Sequence, residues 1–251
     1  NNWSYFFNIY SGLVDRRDWF EPRVDGKFYL DPKGYGINLD FSTNYNKPLA
    51  FNFGGYGNKA PAISSTFTGG FVEPMIRIND HLSFSLRSDL SLADAARGFC
   101  TFDSLGDPVF GRRNVRTWTN LLTARYQFNP FTSLALRTRH YWSQGTYDRY
   151  YRLENDGGLT EINGTHGELP FDTDFNTNYF NIDLVFNWVF SPGSSLLLTY
   201  KSQIIGDNQD VSGGYVDNLR STWGAPQTDS VALKLLYFLD YERVTHRRES
   251  R

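Results

Sequence analysis

Several features that define other protein classes are scarce or absent in this sequence. Among its 251 residues there is one cysteine, Cys100, and one methionine, Met75. A single cysteine excludes an internal disulfide framework. No run of about 18 apolar residues occurs, so the sequence offers no candidate transmembrane helix. The formal net charge is −2, which gives no bulk attraction to nucleic acid, and we expect no nucleic-acid partner.

Aromatic residues are abundant, although the chain as a whole is polar. Phe, Tyr and Trp make up 17% of the residues, while the mean hydropathy is only −0.48. Strands with one face in lipid would produce this combination, because only every second residue would be apolar. Aromatic side chains also concentrate at the two membrane–water interfaces.

A period of two is clearest between Asn178 and Phe190. The even positions 180 to 190 are Phe, Ile, Leu, Phe, Trp and Phe, whereas the odd positions include Asn181, Asp183 and Asn187. Successive side chains of a strand point to opposite sides. The segment is therefore predicted to be a strand with one aromatic and apolar face and one mostly polar face.

Ten such segments are predicted, at residues 2–13, 35–42, 49–53, 66–78, 82–92, 115–128, 131–143, 178–190, 196–203 and 230–241. The connections between them alternate long and short, and the long ones include 54–65 and 93–114. Outer-membrane barrels have long external loops and short periplasmic turns. The fold class predicted is all-β: a transmembrane antiparallel up-and-down β-barrel over residues 1–241, with a basic periplasmic tail at 242–251. A soluble β-sandwich that buries the aromatic face is the rival.

Several motifs resemble one known family. They are Phe20-Glu21-Pro22-Arg23-Val24 and the segments 109–117, 136–143, 179–185, 190–194 and 233–241. Together they resemble the C-terminal outer-membrane barrel domain, a domain of unknown function, of Bacteroidetes surface proteins. In that family the barrel follows a module similar to family-nine carbohydrate-binding domains.

The resemblance implies a location and a fold, and it supplies no catalytic residues. Members of the family are longer than this chain, so the resemblance implies that these strands are the C-terminal part of a larger barrel. A closed ten-stranded barrel is the alternative, since even strand numbers from eight upward occur. The sequence opens at Asn1 without Met or a signal peptide, and we expect a piece of a longer protein.

Charged residues on the polar side of the predicted strands are the first candidate site. By parity the lumen-facing charges are Arg87, Asp89, Arg125, Arg137, Arg139, Asp183, Lys201 and Lys234. They could line a pore that selects anionic or sugar-like solutes. They could instead form a structural ladder of ion pairs in the barrel interior, and this second interpretation is the favoured one.

Aromatic residues in the long connections are the second candidate site. They are Trp19, Phe20, Tyr150, Tyr151, Tyr215 and Trp223. Aromatic rings can stack on sugar faces, so these residues are candidate contacts for a polysaccharide. They could equally cap the barrel mouth or pack on another outer-membrane protein.

Catalytic and metal sites are not predicted. His140 faces lipid by parity, no serine or carboxylate pair is positioned with a histidine, and no G-x-S-x-G motif occurs. The segment Asp172–Asn178 has oxygen ligands at alternate positions, but it lacks the glycine and glutamate of a calcium loop. We therefore expect no enzyme activity, no metal and no cofactor.

Two functions remain open from the sequence. The first is envelope transport through a pore for a small or glycan-derived solute. The second is a structural or docking barrel that anchors a carbohydrate-binding-like module or joins a larger outer-membrane complex. Either places the chain in the bacterial outer membrane, in contact with lipid, with long loops extracellular and both the short turns and the C-terminus periplasmic.

Overall fold

The computed structural model describes residues 2–162 and 173–239. It contains thirteen strands and one α-helix in the described residues. The strands are β1 (Ser4–Ser11), β2 (Arg16–Asp18), β3 (Tyr29–Asp31), β4 (Tyr35–Ser42), β5 (Leu49–Ala60), β6 (Ser65–Arg77), β7 (Leu82–Phe102), β8 (Pro108–Asn129), β9 (Thr132–Leu153), β10 (Leu159–Ile162), β11 (Phe175–Ser191), β12 (Ser194–Asn208) and β13 (Gln227–Leu236), and the helix is α1 (Tyr215–Thr222). The predicted tail at 242–251 lies outside the described residues.

One antiparallel sheet contains ten strands in simple up-and-down order. Its order is β1-β4-β5-β6-β7-β8-β9-β11-β12-β13, with β10 added to β9, while β2 and β3 form a separate hairpin. The predicted strand number and topology are thus confirmed. Within the described residues β1 and β13 each pair on one side only, and no closure between them is seen.

The register gives the sheet two different faces. Leu184 lies between Leu136 and Tyr200, and the next residue back, Asp183, lies between Arg137 and Lys201. Partners across an antiparallel ladder share a face, and adjacent residues of one strand do not. We call the side of Phe180, Ile182, Leu184, Phe186 and Trp188 the aromatic face, and the side of Asp183 the polar face.

The connections lie at two ends of the sheet. Short turns at 43–48, 78–81, 130–131 and 192–193 form the short-turn end. The other connections form the long-loop end, where the β2–β3 hairpin, β10 and α1 are found. No helix among the described residues has the length and apolar character needed to cross a membrane.

Two predicted long connections are wrong, because the strands continue through them. β5 extends to Ala60 and is followed by one 3₁₀ turn at Pro61–Ile63. β7 extends to Phe102 and β8 begins at Pro108. About ten tilted residues span a bilayer, so the 21 and 22 residues of β7 and β8 extend well past that length toward the long-loop end.

Bulges explain why the sequence pattern failed in β7. The β7–β8 register shifts between Ala93 and Ala96, and again between Phe99 and Thr101. Ala95 in the first bulge has a φ of 51°. Each bulge inserts an extra residue and reverses the parity of the side chains that follow. The alternation is therefore lost although the hydrogen-bonded ladder continues.

Glycines explain the continuation of β5 and β6. A Cβ on Gly69 would lie 2.5 Å from the Tyr56 ring on the facing strand, and the two residues are direct partners in the ladder. The ring occupies the space that a side chain would fill. This glycine accommodates a neighbouring aromatic ring and does not end a strand.

Pro74 lies inside β6 and interrupts its pairing with β7. The β6–β7 pairing runs to Val72–Ser88 and resumes at Met75–Ser85 with unchanged register, so Glu73 and Pro74 interrupt the ladder without a bulge. Proline cannot donate a ladder hydrogen bond. The pairing is therefore weakened at this point, while its register is kept.

Exchange of an apolar residue for arginine tests the assignment of the two faces. In the full-length protein, Leu184→Arg should destabilise the membrane-inserted state by about 2–4 kcal/mol, because it places a charge in hydrocarbon. Urea unfolding from lipid vesicles, followed by heat-modifiable electrophoretic migration, would measure it. Asn187→Arg, on the polar face of the same strand, is the matched control. Equal losses in the two variants would contradict the assignment.

Candidate functional site: the polar face and its rim

All eight charges predicted to face the lumen lie on the polar face. Asp183 has Arg137 and Lys201 as its two lateral partners, and Arg139 pairs with Asn181. Arg125 lies opposite Ala135 and Ser83, and Lys234 lies opposite Leu197. Arg87 and Asp89 occupy the same side of β7. The sequence parity thus located these residues on one surface.

Part of this surface is an ion-pair ladder. The Arg87 guanidinium lies 3.6 Å from Glu73 and 3.5 Å from Asp89, and it stacks over the Phe71 ring at 3.6 Å. Asp89 also accepts a hydrogen bond of 2.7 Å from the Tyr56 hydroxyl. Lys201 lies 3.7 Å from Asp183. These pairs agree with the structural interpretation of the charges.

Another part of the surface is not paired. Within the described residues, no carboxylate lies within ion-pair distance of Arg125, Arg137, Arg139 or Lys234. Arg139 instead contacts the Tyr141 ring at 5.5 Å. Arg77 and Glu73 belong to the same face and were missed, because the irregular pattern around Pro74 hid the parity of β6.

Two of the six predicted aromatic contacts are buried. Tyr150 is 3% exposed and Tyr151 is 4% exposed. Tyr151 packs with Tyr29 and Phe110 in one cluster, and Tyr150 packs with Val109 and Tyr147 in another. The prediction that Tyr150 and Tyr151 contact a polysaccharide is therefore wrong. Their rings fill small cores that support β8 and β9 at the long-loop end.

The remaining loop aromatics differ in their surroundings. Phe20 is 90% exposed, while Trp19 and Trp223 are half or more exposed. Trp19 packs against Phe28 with ring centroids 4.9 Å apart. Trp223 packs against Phe180 at 4.7 Å. These three rings lie at the long-loop end and stay candidates for a glycan contact.

Helix α1 covers part of the aromatic face at the long-loop end. The ring of Tyr215 lies 4.3 Å from that of Trp118 and 5.8 Å from that of Trp142. The Tyr215 hydroxyl accepts from the Asn120 amide at 2.8 Å and lies 3.0 Å from Nδ1 of His140. His140 is thus buried beneath the helix. The expectation that it faces lipid is wrong, because the connecting loop folds back over it.

Buried amides fasten α1 to the sheet. Asn218 of the helix accepts from Asn176 at 2.6 Å and from Asn178 at 3.2 Å. The Trp142 indole donates to Asn176 at 2.9 Å. Buried polar groups need such partners, since an unpaired one costs about 1–3 kcal/mol. The polar residues at this end of the aromatic face are consequently shielded by protein.

Cys100 lies in β7 at the long-loop end, near Thr173 and Asp174. Burial raises the pKa of its thiol to about 11. The Asp174 carboxylate accepts a hydrogen bond of 2.8 Å from the Tyr147 backbone, and Asp172 lies outside the described residues. Within the two described ranges, no group of three or more metal-ligating side chains is assembled.

Comparison by sequence identifies a family for the chain. The family described as "Domain of unknown function (DUF5916)" matches residues 1–248. The chain belongs to this family. No curated protein matches the sequence.

Comparison by structure gives outer-membrane proteins. The copper transporter OprC superposes with a TM-score of 0.51 and 11% identity, over 92% of this chain and 36% of that one. The siderophore receptor PiuA of Acinetobacter baumannii gives a TM-score of 0.42 and 10% identity, over 81% of this chain and 38% of that one. The likeness to OprC shows the fold alone: the antiparallel wall of a transmembrane β-barrel. The chain spans little more than a third of these proteins.

Removal of one hydroxyl tests the docking of α1. Tyr215→Phe should leave the half-buried Asn120 amide without this partner and destabilise the helix contact by about 1 kcal/mol. Hydrogen exchange of residues 215–222, measured by mass spectrometry in detergent micelles, should become faster. Tyr45→Phe is the matched control, because its hydroxyl bonds Ser42 at an exposed turn. Unchanged exchange in Tyr215→Phe would contradict the contact.

The raised thiol pKa of Cys100 allows a test of whether this residue is buried at the long-loop end. Only the thiolate reacts, so at pH 8 the folded protein should react with iodoacetamide roughly a hundredfold more slowly than the unfolded chain. The rate for the folded protein should rise about tenfold per pH unit and level off only near the raised pKa. Equal rates in folded and urea-unfolded protein at pH 8 would show that the thiol is not buried.

Proposed function

We propose that this chain forms part of the wall of an outer-membrane barrel through which a small or glycan-derived solute passes. One observation carries the proposal: the same strands present an aromatic, apolar surface on one side and rows of charged and polar side chains on the other. A lipid-spanning barrel needs such strands, with hydrocarbon outside and water or polar groups inside.

Further strands complete the barrel in this proposal. β1 and β13 each have one paired edge among the described residues, and their apolar side chains, such as Tyr5 and Leu233, are exposed. Unpaired backbone groups in hydrocarbon cost several kcal/mol each, so membrane sheets close. The 36% coverage of OprC is what one segment of a larger barrel would give. Additional strands of the same protein would then pair with both edges.

The orientation in the proposal follows from the lengths of the connections. The long-loop end, with the β2–β3 hairpin and α1, lies outside the cell, and the short-turn end lies in the periplasm. The exposed rings of Trp19, Phe20 and Trp223 would then be the first groups that an approaching polysaccharide meets. The proposal includes passage of a solute through the barrel and contact with a polysaccharide, and it includes no catalytic step.

Conductance measurements test the proposal directly. Full-length protein reconstituted in planar lipid bilayers should produce stable stepwise currents, because a polar lumen admits water and ions. Protein inactivated by heat before reconstitution is the control for detergent effects. A folded, inserted barrel that stays silent would contradict the pore and favour the docking barrel, in which the chain anchors a carbohydrate-binding-like module or joins a larger complex.

A further inference from the structure

Residues that face one another across neighbouring strands form rows on the polar face. One row contains Leu121, Arg139, Asn181 and Gln203, and the next contains Thr123, Arg137, Asp183 and Lys201. A third row contains Arg77, Ser83, Arg125 and Val185, and a fourth contains Gln127, Asn187 and Lys234. Successive rows lie about 7 Å apart, at two residues per step toward the short-turn end.

The charge on these rows changes sign along the strands. These four rows, the first of which also includes Arg87 and Glu73, carry seven cations and two carboxylates: Arg77, Arg87, Arg125, Arg137, Arg139, Lys201 and Lys234 against Glu73 and Asp183. The next two rows toward the long-loop end carry Asp40, Asp89 and Asp207, with no Lys or Arg among their described residues. The whole chain has a net charge of −2, so this excess of cations is local.

Among the described residues, the carboxylates of these rows form ion pairs, and four arginines lie outside ion-pair distance of any carboxylate. Glu73 and Asp89 form ion pairs with Arg87, and Asp183 forms an ion pair with Lys201. We call the remaining arginines, Arg77, Arg125, Arg137 and Arg139, the cationic strip. It runs from β9 through β8 to the end of β6. A structural ladder of ion pairs does not require these four residues.

Two depressions on the polar face combine the strip with neutral hydrogen-bonding groups. The first, of about 380 Å³, is lined by Arg137, Arg139, Asn181, Asp183, Lys201 and Gln203. The second, of about 360 Å³, is lined by Lys47, Arg77, Arg125, Ser83, Ser85 and Thr123, by apolar residues that include Met75 and Phe84, and by no carboxylate. Guanidinium groups beside hydroxyl and amide groups are suited to oxyanions, which they bind through charge-assisted and bidentate hydrogen bonds.

We propose that the cationic strip binds small oxyanions, so that the solute of this barrel carries a phosphate or carboxylate group. The inference rests on the proposed barrel and adds the chemical class of its solute. Inorganic phosphate and a phosphorylated or carboxylated sugar share this chemistry. A solute oxyanion would neutralise neighbouring guanidinium groups in turn as it moves from Arg139 to Arg137 and Arg125 toward the short-turn end.

The first experiment measures ion selectivity in full-length protein. In planar bilayers under a KCl gradient, the reversal potential of the wild-type barrel should show preference for chloride over potassium. The double variant Arg137→Gln/Arg139→Gln should lower that permeability ratio several-fold. Arg220→Gln, an exposed arginine of α1, is the matched control and should leave the ratio unchanged. A cation-selective or non-selective wild type would overturn the inference.

A second experiment does not depend on conduction. Binding of inorganic phosphate, glucose 6-phosphate, glucuronate and glucose to detergent-solubilised protein would be followed by isothermal calorimetry. The three anions should bind competitively at low ionic strength, and glucose alone should not compete. The double glutamine variant should weaken anion binding at least tenfold. Arg137→Lys/Arg139→Lys should keep the anion selectivity and lose part of the affinity, because lysine cannot bind bidentately.

The two experiments separate the failure of the pore from the failure of the strip. Anion binding that is lost in the double glutamine variant of a silent barrel would support the strip and reject the pore. A conducting barrel that binds none of the anions and shows no anion preference would reject the strip and keep the pore. Heat-modifiable migration and unchanged hydrogen exchange in β9 would confirm that the variants are folded.

Discussion

Lateral hydrogen bonding between neighbouring strands is the constraint on which the rest of this structure depends. Inside a bilayer every backbone N–H and C=O group needs a partner from protein, and antiparallel strands supply it from their neighbours. The pairing of neighbouring strands from β1 to β13 fixes which side chains share a face of the sheet. A slip of one residue between β9 and β11 would move Asp183 away from Arg137 and place it opposite Leu136 or Thr138, which belong to the aromatic face.

The strands and their two faces were predictable from the sequence, whereas the lengths of the strands at the long-loop end were not. Period two needs only the side chains of one strand, so Phe180 to Phe190 and the eight polar-face charges could be assigned from sequence. Bulges near Ala95 and Phe99 reverse the parity, and glycines such as Gly69 serve as space for a neighbouring ring. Both are effects of the partner strand. The burial of Tyr150 and Tyr151 depends on distant segments in the same way.

Helix α1 shows how one face meets two environments. Toward the short-turn end the aromatic face carries Leu184, Phe186 and Trp188, which suit hydrocarbon. Toward the long-loop end it carries Asn176, Asn178 and His140, which would be costly there. Tyr215 and Asn218 provide partners for these groups within protein. The sequence predicted none of this, because residues 215–222 carry too few apolar positions to reveal a helix.

The unpaired arginines constrain the environment of the polar face. Two charges about 7 Å apart repel by roughly 0.6 kcal/mol in water, but by several kcal/mol in a dry protein interior. Arg125, Arg137 and Arg139 stand on adjacent rows without a carboxylate in ion-pair distance among the described residues. Such an arrangement is tolerable only where water or anions screen it. A barrel filled by packed side chains would need these charges paired, so the strip argues for a hydrated lumen.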